Sequence, residues 1–204
     1  MGYLFAILGG YLLGCSNMAF YLEKITKKSV RGGGSGNLGA SNTVIRLGWK
    51  AGVLVGAHDI GKALLAVYLS KWLLAQWEYA AAIAGVCCVL GHIFPFYLKF
   101  KGGKGFASYV GMIFALDWKI AVAIIVMIFA VTLLTDYIVA ATLMSTVSAP
   151  ISLGIHQGKW ILVLILCVAS VVILYRHREN LVRIFVTGGE IGLRSASKGE
   201  HRVK

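Results

Sequence analysis

Long apolar runs are the feature that most limits what this chain can fold into. Of its 204 residues, 58% are hydrophobic and 14% are charged, whereas soluble domains carry about 25% charged residues. A helix that spans a membrane needs about 20 mostly apolar residues. The sequence therefore predicts an all-α, polytopic membrane helix bundle. The apolar runs are residues 3–22, 51–75, 79–98, 107–116, 119–135, 137–155 and 160–175.

The basic residues predict how the chain crosses the membrane. They are concentrated in residues 24–50, 99–104 and 176–204, and such clusters usually mark cytoplasmic loops. The apolar stretch 107–135 is long for one span and short for two, but a split at Asp117 brings all the basic clusters to one side. We therefore predict seven transmembrane helices, with the N-terminus outside and the C-terminus in the cytoplasm.

Composition argues against several other classes of protein. A net charge of +12 is compatible with nucleic-acid binding, but the apolar content argues against a nucleic-acid partner. The four cysteines lie in apolar runs without the spacing of metal ligands. We expect no metal, no cofactor and no obligatory protein partner. We also predict a single domain over residues 1–204, with a flexible polar tail at 195–204.

A glycine-rich loop at residues 32–42 follows the first apolar run, and Arg46 lies shortly after it. Gly34 to Gly39 formally match the G-x-G-x-x-G pattern of dinucleotide-binding folds, but no strand precedes them. Glycines allow backbone N–H groups to approach a ligand closely, and charge-assisted hydrogen bonds suit phosphate oxygens. We interpret this segment as a ligand-binding loop rather than a linker.

A second glycine-rich turn, residues 91–105, ends the third apolar run. Its lysines and glycines predict a basic, flexible turn at the membrane edge that binds an anion, most simply phosphate. A positively charged cytoplasmic loop is the alternative, and we interpret His92 as a core residue. Asp59 and Lys62 are three residues apart within the second span. The sequence leaves open whether they form an intrahelical pair or contact a ligand.

A third group of polar residues follows the last apolar run. His177, Asn180 and Arg183 are three residues apart, a spacing that puts them on one face of a helix. They supply an imidazole, an amide and a guanidinium, which suit the orientation of an oxyanion or a hydroxyl. The alternative, a basic juxtamembrane helix that binds acidic headgroups, explains the arginines only.

Together these segments resemble the bacterial membrane glycerol-3-phosphate acyltransferase family that uses acyl phosphate as acyl donor. The resemblance covers essentially the whole chain and includes three family motifs in order. The matching segments are residues 34–42, residues 91–95 with 100–105, and residues 177–180 with Arg183, Gly188 and Glu190.

The resemblance implies a seven-helix enzyme of the bacterial inner membrane, with an active site that faces the cytoplasm. It would transfer a fatty acyl group from acyl phosphate to the 1-hydroxyl of glycerol 3-phosphate, giving lysophosphatidic acid and phosphate. Lys104 and the glycine loops would bind acyl phosphate, Asn180 would hold glycerol 3-phosphate, and His177 would orient the reactants. The implied catalytic residues are Lys104, Asn180, His177 and Ser35, and the implied substrate-binding residues are Gly36, Asn37, Ser41, Asn42, Arg46, Gly102, Gly103, Thr142 and Arg183.

The chain departs from the family pattern at a few positions. The family usually has an arginine three residues after the asparagine that matches Asn42, where this chain has Ile45 followed by Arg46. Ser41 replaces a threonine, and Thr142 stands where a serine is common. These differences motivate one alternative, an acyltransferase relative with a changed acceptor. A non-enzymatic transporter or binding module for an organic phosphate is the other, although internal repeats, frequent in transporters, are not seen here.

Overall fold

The computed structural model describes residues 1–187, and these residues form helices and loops without a β-strand. The predicted all-α class is confirmed for this part of the chain. The chain divides into two compact units, residues 1–117 and the residues from Trp118 onward. The single domain over residues 1–204 stays a prediction, and the tail predicted at 195–204 lies outside the described residues.

The helices of the two units have the following bounds. The first unit contains α1 (Gly2–Cys15), α2 (Met18–Thr26), α3 (Ala40–Leu47), α4 (Trp49–Leu73), α5 (Ala80–Ile93), a 3₁₀ helix (Phe96–Leu98) and α6 (Phe106–Leu116). The second unit contains α7 (Trp118–Thr135), α8 (Ile138–Gln157), α9 (Trp160–Arg176), α10 (Arg178–Val182) and a π-helical turn (Arg183–Thr187).

Five helical segments of the described chain are long and apolar enough to cross a membrane, and α6 and α9 are shorter apolar helices. The apolar stretch 107–135 is divided at the predicted residue. Asp117 is extended, with φ −154° and ψ 107°, so α6 ends before it and α7 begins after it. Seven spans and the orientation of the termini stay predictions.

The first apolar run is not one continuous helix, because it is interrupted at Ser16 and Asn17. Ser16 leaves the helical region with φ −56° and ψ 127°. Asn17 then caps α2, since its Oδ1 accepts a hydrogen bond from the Phe20 N–H at 3.0 Å. The interruption exposes carbonyls that find partners elsewhere in the unit. The Cys15 carbonyl accepts from the Tyr97 hydroxyl at 2.8 Å, and the Ser16 carbonyl accepts from Lys62 Nζ at 2.7 Å.

Small residues let α1 pack closely along α5. A Cβ at Gly10 would lie 2.9 Å from Ala84 Cα, and one at Gly14 would lie 2.7 Å from Cys88 Cα. Both are contacts with backbone, which no rotamer change can relieve. This is the close helix packing that small residues allow in membranes. Gly9 takes no part in it, because a Cβ there would have nothing within 4 Å.

This packing predicts a strong effect of Gly14→Val on stability. The valine side chain would force α1 away from α5, and we expect a loss of about 3 kcal/mol or more in the free energy of unfolding. Gly9→Val, on the open side of the same helix, is the matched control and should leave stability unchanged. Thermal unfolding of the detergent-solubilised variants measures the difference. Equal midpoints for the two variants would contradict the packing.

The second unit is built from α7, α8 and α9. Ser148 on α8 donates to Met127 Sδ on α7 at 3.8 Å. Gly154 on α8 lies against Val163 on α9, with no room for a Cβ. α9 ends at Arg176, so the predicted third group of polar residues begins where this helix stops.

Candidate functional site

Asn42 organises the first glycine-rich loop. Its Oδ1 accepts from the Ser35 N–H at 3.0 Å, and its Nδ2 donates to the carbonyls of Val30 at 2.8 Å and Asn37 at 2.9 Å. The side chain is only 1% exposed. Asn42 therefore shapes the loop from within, and contact of this residue with a substrate stays a prediction.

Asn37 positions the hydroxyl of Ser35. Its Nδ2 donates to Ser35 Oγ at 2.7 Å, while its Oδ1 accepts from the Gly39 N–H at 2.9 Å. Gly34 and Gly36 flank Ser35 with φ of 61° and 65°, a left-handed conformation that glycine adopts without strain. The half-buried Ser35 hydroxyl is therefore held at the tip of a defined turn.

Arg46, and not Ile45, brings a cation to this loop. Arg46 Nε donates to the Ser29 carbonyl at 3.1 Å, and a Cβ at Gly33 would lie 2.9 Å from Arg46 Nη1. The guanidinium thus lies over the glycines that begin the loop. Ile45 is 47% exposed, and Ser41 is also exposed in the first turn of α3.

Glu23, near the end of α2, is a residue of this region that no sequence motif marks. Its Oε1 accepts from the N–H groups of Val30 at 2.6 Å and Arg31 at 3.0 Å. Its Oε2 also lies 3.3 Å from Arg31 Nη2. The carboxylate therefore fixes the start of the loop. The sequence offered one signal for this role, since Glu23 is an acidic residue at the start of a basic segment.

The second glycine-rich turn is anchored rather than loose, contrary to the flexibility predicted for it. The Gly102 N–H donates to the Ile93 carbonyl at 3.0 Å, and the Gly103 N–H donates to the His92 carbonyl at 3.2 Å. A Cβ at Gly102 would lie 2.7 Å from Pro95 Cδ. The turn folds back onto the end of α5, and positions 102 and 103 have room only for glycine. The half-buried Lys104 follows it directly.

The two loops meet at Gly103. A Cβ there would come within 3.1 Å of the Leu38 carbonyl of the first loop, and would also collide with the His92 ring. Leu38 is fully buried. The first unit therefore brings the first two predicted motifs into contact, with Lys104 next to the point where they touch.

The electrostatics of both loops favour an anion. Each loop leads into the N-terminus of a helix, α3 after Gly39 and α6 after Gly105. Helix N-termini carry unpaired N–H groups and a partial positive charge, and they bind phosphates readily. Lys104 and Arg46 add full charges at the same loops.

In the second unit, His177 and Asn180 are both buried, each with 5% exposure. His177 Nδ1 lies 2.8 Å from the Ile173 carbonyl. A carbonyl only accepts, so Nδ1 carries a proton and Nε2 of the neutral ring is an acceptor. The Asn180 N–H donates to the His177 carbonyl at 2.9 Å, which joins the two residues in one tight turn.

The arginines around this turn are more exposed than His177 and Asn180. Arg178 is exposed, and its guanidinium lies 4.0 Å from the centre of the Tyr175 ring. An exposed arginine suits headgroup contact, but a buried histidine and a buried asparagine do not. This difference favours a site over a simple headgroup-binding helix. Arg183 is half-buried at the start of the π-helical turn.

Thr142 lies within α8 and is 2% exposed. Its hydroxyl donates to the Ile138 carbonyl one turn earlier, at 3.0 Å, which leaves oxygen lone pairs as acceptors. Gly188 and Glu190 of the third motif lie outside the described residues. The catalytic and binding roles of all the predicted site residues, including Gly36, Gly102 and Gly103, stay predictions.

Comparison with known proteins identifies a family. A family model described as "Glycerol-3-phosphate acyltransferase" matches residues 4–187. The chain is 35% identical over 193 residues to glycerol-3-phosphate acyltransferase 1 of Oceanobacillus iheyensis, covering 90% of this chain and 92% of the relative. It is 35% identical over 191 residues to the glycerol-3-phosphate acyltransferase of Thermoanaerobacter pseudethanolicus, covering 92% and 95%.

The fold is also similar to solved structures. They are crystal structures of PlsY, described as an integral membrane glycerol 3-phosphate acyltransferase. The glycerol 3-phosphate form gives a TM-score of 0.89 at 30% identity, covering 97% of this chain and 98% of that chain. The lysophosphatidic acid form gives 0.82 at 31% identity, covering 94% and 95%.

Proposed function

The chain belongs to the glycerol-3-phosphate acyltransferase family, and from that premise we propose that it acylates the 1-hydroxyl of glycerol 3-phosphate with acyl phosphate as donor. The products are lysophosphatidic acid and inorganic phosphate. The observation that carries the proposal is the meeting of the two loops at Gly103 and Leu38. Lys104 follows this point, Arg46 lies over the start of the first loop, and each loop leads into a helix N-terminus, features that suit a phosphate.

The reaction requires positioning and charge stabilisation more than a covalent intermediate. Acyl phosphate is a mixed anhydride with a good leaving group. The 1-hydroxyl oxygen forms a bond to the acyl carbon, the bond between that carbon and the phosphate oxygen breaks, and the electron pair leaves with phosphate. Lys104 and the N–H groups at the N-termini of α3 and α6, together with Ser35 and Ser41, stabilise the charge that develops on the leaving group.

His177 orients the attacking hydroxyl in this proposal. With Nδ1 donating to the Ile173 carbonyl, Nε2 accepts a hydrogen bond from the neighbouring 2-hydroxyl of glycerol 3-phosphate, and the 1-hydroxyl keeps its proton for transfer. A substrate phosphate takes the proton, and holding the reactants at the correct distance supplies much of the acceleration. Asn180, Arg46 and Thr142, with Arg183, hold glycerol 3-phosphate.

The membrane setting is part of the proposal. Five long apolar segments and the shorter α6 and α9 provide for seven spans, with the N-terminus outside. The basic clusters then lie in the cytoplasm, and the active site opens there from the bacterial inner membrane. This arrangement suits a lipid donor and a small, soluble, anionic acceptor, and it needs no obligatory protein partner.

Phosphate release from palmitoyl phosphate tests the function directly. The purified, detergent-solubilised protein is assayed with and without glycerol 3-phosphate. We expect release that depends on glycerol 3-phosphate, with lysophosphatidic acid formed in equal amount. Release with another hydroxyl acceptor alone would mean a changed acceptor, and no release with any acceptor would contradict the proposal.

A further inference from the structure

Three ionisable side chains are buried together in the first unit. Asp59, Lys62 and His92 are exposed by only 1%, 6% and 2%. Lys62 Nζ lies 2.9 Å from Asp59 Oδ1 and 2.8 Å from His92 Nδ1, and it donates to the Ser16 carbonyl at 2.7 Å. Ionisable groups inside a membrane protein are costly, and they commonly mark a function.

This cluster orients the His92 ring. His92 Nδ1 lies near both the Lys62 ammonium, which only donates, and the Asp59 carboxylate, which only accepts, so the ring faces the ion pair whichever tautomer it adopts. Asp59 Oδ1 lies 3.2 Å from the same ring nitrogen and compensates the charge of Lys62. One edge of the ring is therefore held by a buried ion pair.

The other edge of the ring lies against the second glycine-rich turn. A Cβ at Gly103 would collide with His92 Nε2 and lie 2.7 Å from Cε1. The main chain of His92 also supports the turn, because its carbonyl accepts from the Gly103 N–H at 3.2 Å. His92 therefore contacts Gly103 through both its ring and its backbone carbonyl. Lys104 is the next residue in the chain.

We propose that Asp59, Lys62 and His92 are positioning residues for the acyl-transfer reaction. The buried ion pair orients the His92 ring, and the ring holds the turn of residues 102–104 in the conformation that binds the phosphate of the acyl donor. The inference rests on the proposed function, which assigns this turn to acyl phosphate. It also answers the question that the sequence left open. The pair acts on the site through His92, without contact with a ligand.

The test is steady-state kinetics of full-length, purified variants with palmitoyl phosphate and glycerol 3-phosphate. His92→Phe keeps an aromatic ring against Gly103 but removes the ring nitrogen that contacts Lys62 and Asp59. We expect kcat/KM for palmitoyl phosphate to fall about 10- to 100-fold, as for other misplacements of a reacting group. KM for glycerol 3-phosphate should stay close to the wild-type value.

Two further variants separate positioning from folding. Removing one charge of a buried pair is strongly destabilising, whereas removing both is often tolerated. The double variant Asp59→Asn with Lys62→Met should therefore fold, with the kinetic defect of His92→Phe. His58→Phe is the matched control. His58 Nδ1 is also within 3.5 Å of Asp59 Oδ1, but its Nε2 contacts the Ser16 hydroxyl at 3.0 Å, so its kinetics should be those of wild type.

The outcomes distinguish this inference from the proposed function. Wild-type kcat/KM in the folded double variant and in His92→Phe would overturn the inference and leave the cluster a structural element. A defect confined to KM for glycerol 3-phosphate would overturn it as well. Wild-type protein without turnover of palmitoyl phosphate would instead overturn the proposed function.

Discussion

Lys104→Ala is expected to lower kcat for acyl transfer about 100- to 1000-fold, the usual effect of removing one group that stabilises charge in a transition state. Lys104 is half-buried and directly follows the turn where Gly103 meets Leu38. Its ammonium would neutralise the charge that grows on the departing phosphate. Phosphate release from palmitoyl phosphate in the presence of glycerol 3-phosphate measures the loss.

Lys101→Ala is the control for general positive charge. Lys101 belongs to the same turn but is exposed, so its removal should leave kcat close to wild type. Both variants should keep the thermal unfolding midpoint of wild type. Near-normal turnover by Lys104→Ala, or an equal loss in both variants, would show that Lys104 has no specific catalytic role.

Asn180→Ala is expected to lower kcat/KM for glycerol 3-phosphate by about 100-fold or more, because the amide that we propose hydrogen-bonds the acceptor is lost. Asn180 is buried, with 5% exposure, and its N–H donates to the His177 carbonyl at 2.9 Å. The side chains of both residues are therefore buried in the same tight turn. Initial rates at varied glycerol 3-phosphate concentration measure the effect.

Glu179→Gln tests the exposed neighbour of Asn180 in the same short helix. This substitution removes a charge without changing His177 or Asn180, and the variant should keep wild-type kinetics. A loss in Glu179→Gln as large as that in Asn180→Ala would mean that the helix, and not the amide, matters. Full activity of Asn180→Ala would reject the predicted role of this residue.

Local patterns predicted much of the fold. Hydropathy found the apolar segments, and the charge of Asp117 marked the division between α6 and α7, because both signals depend on neighbouring residues alone. The break at Ser16 and Asn17 was not predicted, because those two residues lie inside a run that is apolar enough for one span. Helix α3 was also missed, because residues 40–42 resemble the end of a polar loop.

The phosphate site was predicted from residue types, and this role stays a prediction, but the contacts that hold its residues in place could not be predicted. Glycines, Lys104 and Arg46 indicated phosphate from their composition alone. His92 was interpreted as a core residue and is buried, but its contacts with Lys62 and Gly103 could not be predicted, because they join separate segments of the sequence. Asn42 was assigned to a substrate, whereas its hydrogen bonds to Ser35, Val30 and Asn37 shape its own loop. Such roles depend on tertiary contacts, which a single sequence does not reveal.

The interruption between α1 and α2 has a consequence for biosynthesis. The Ser16 carbonyl is satisfied by Lys62, 46 residues later, and the Cys15 carbonyl by Tyr97, 82 residues later. A carbonyl without a partner is costly in lipid. The junction of α1 and α2 therefore cannot reach its final conformation until α4 and the 3₁₀ helix that follows α5 have been synthesised and inserted beside it.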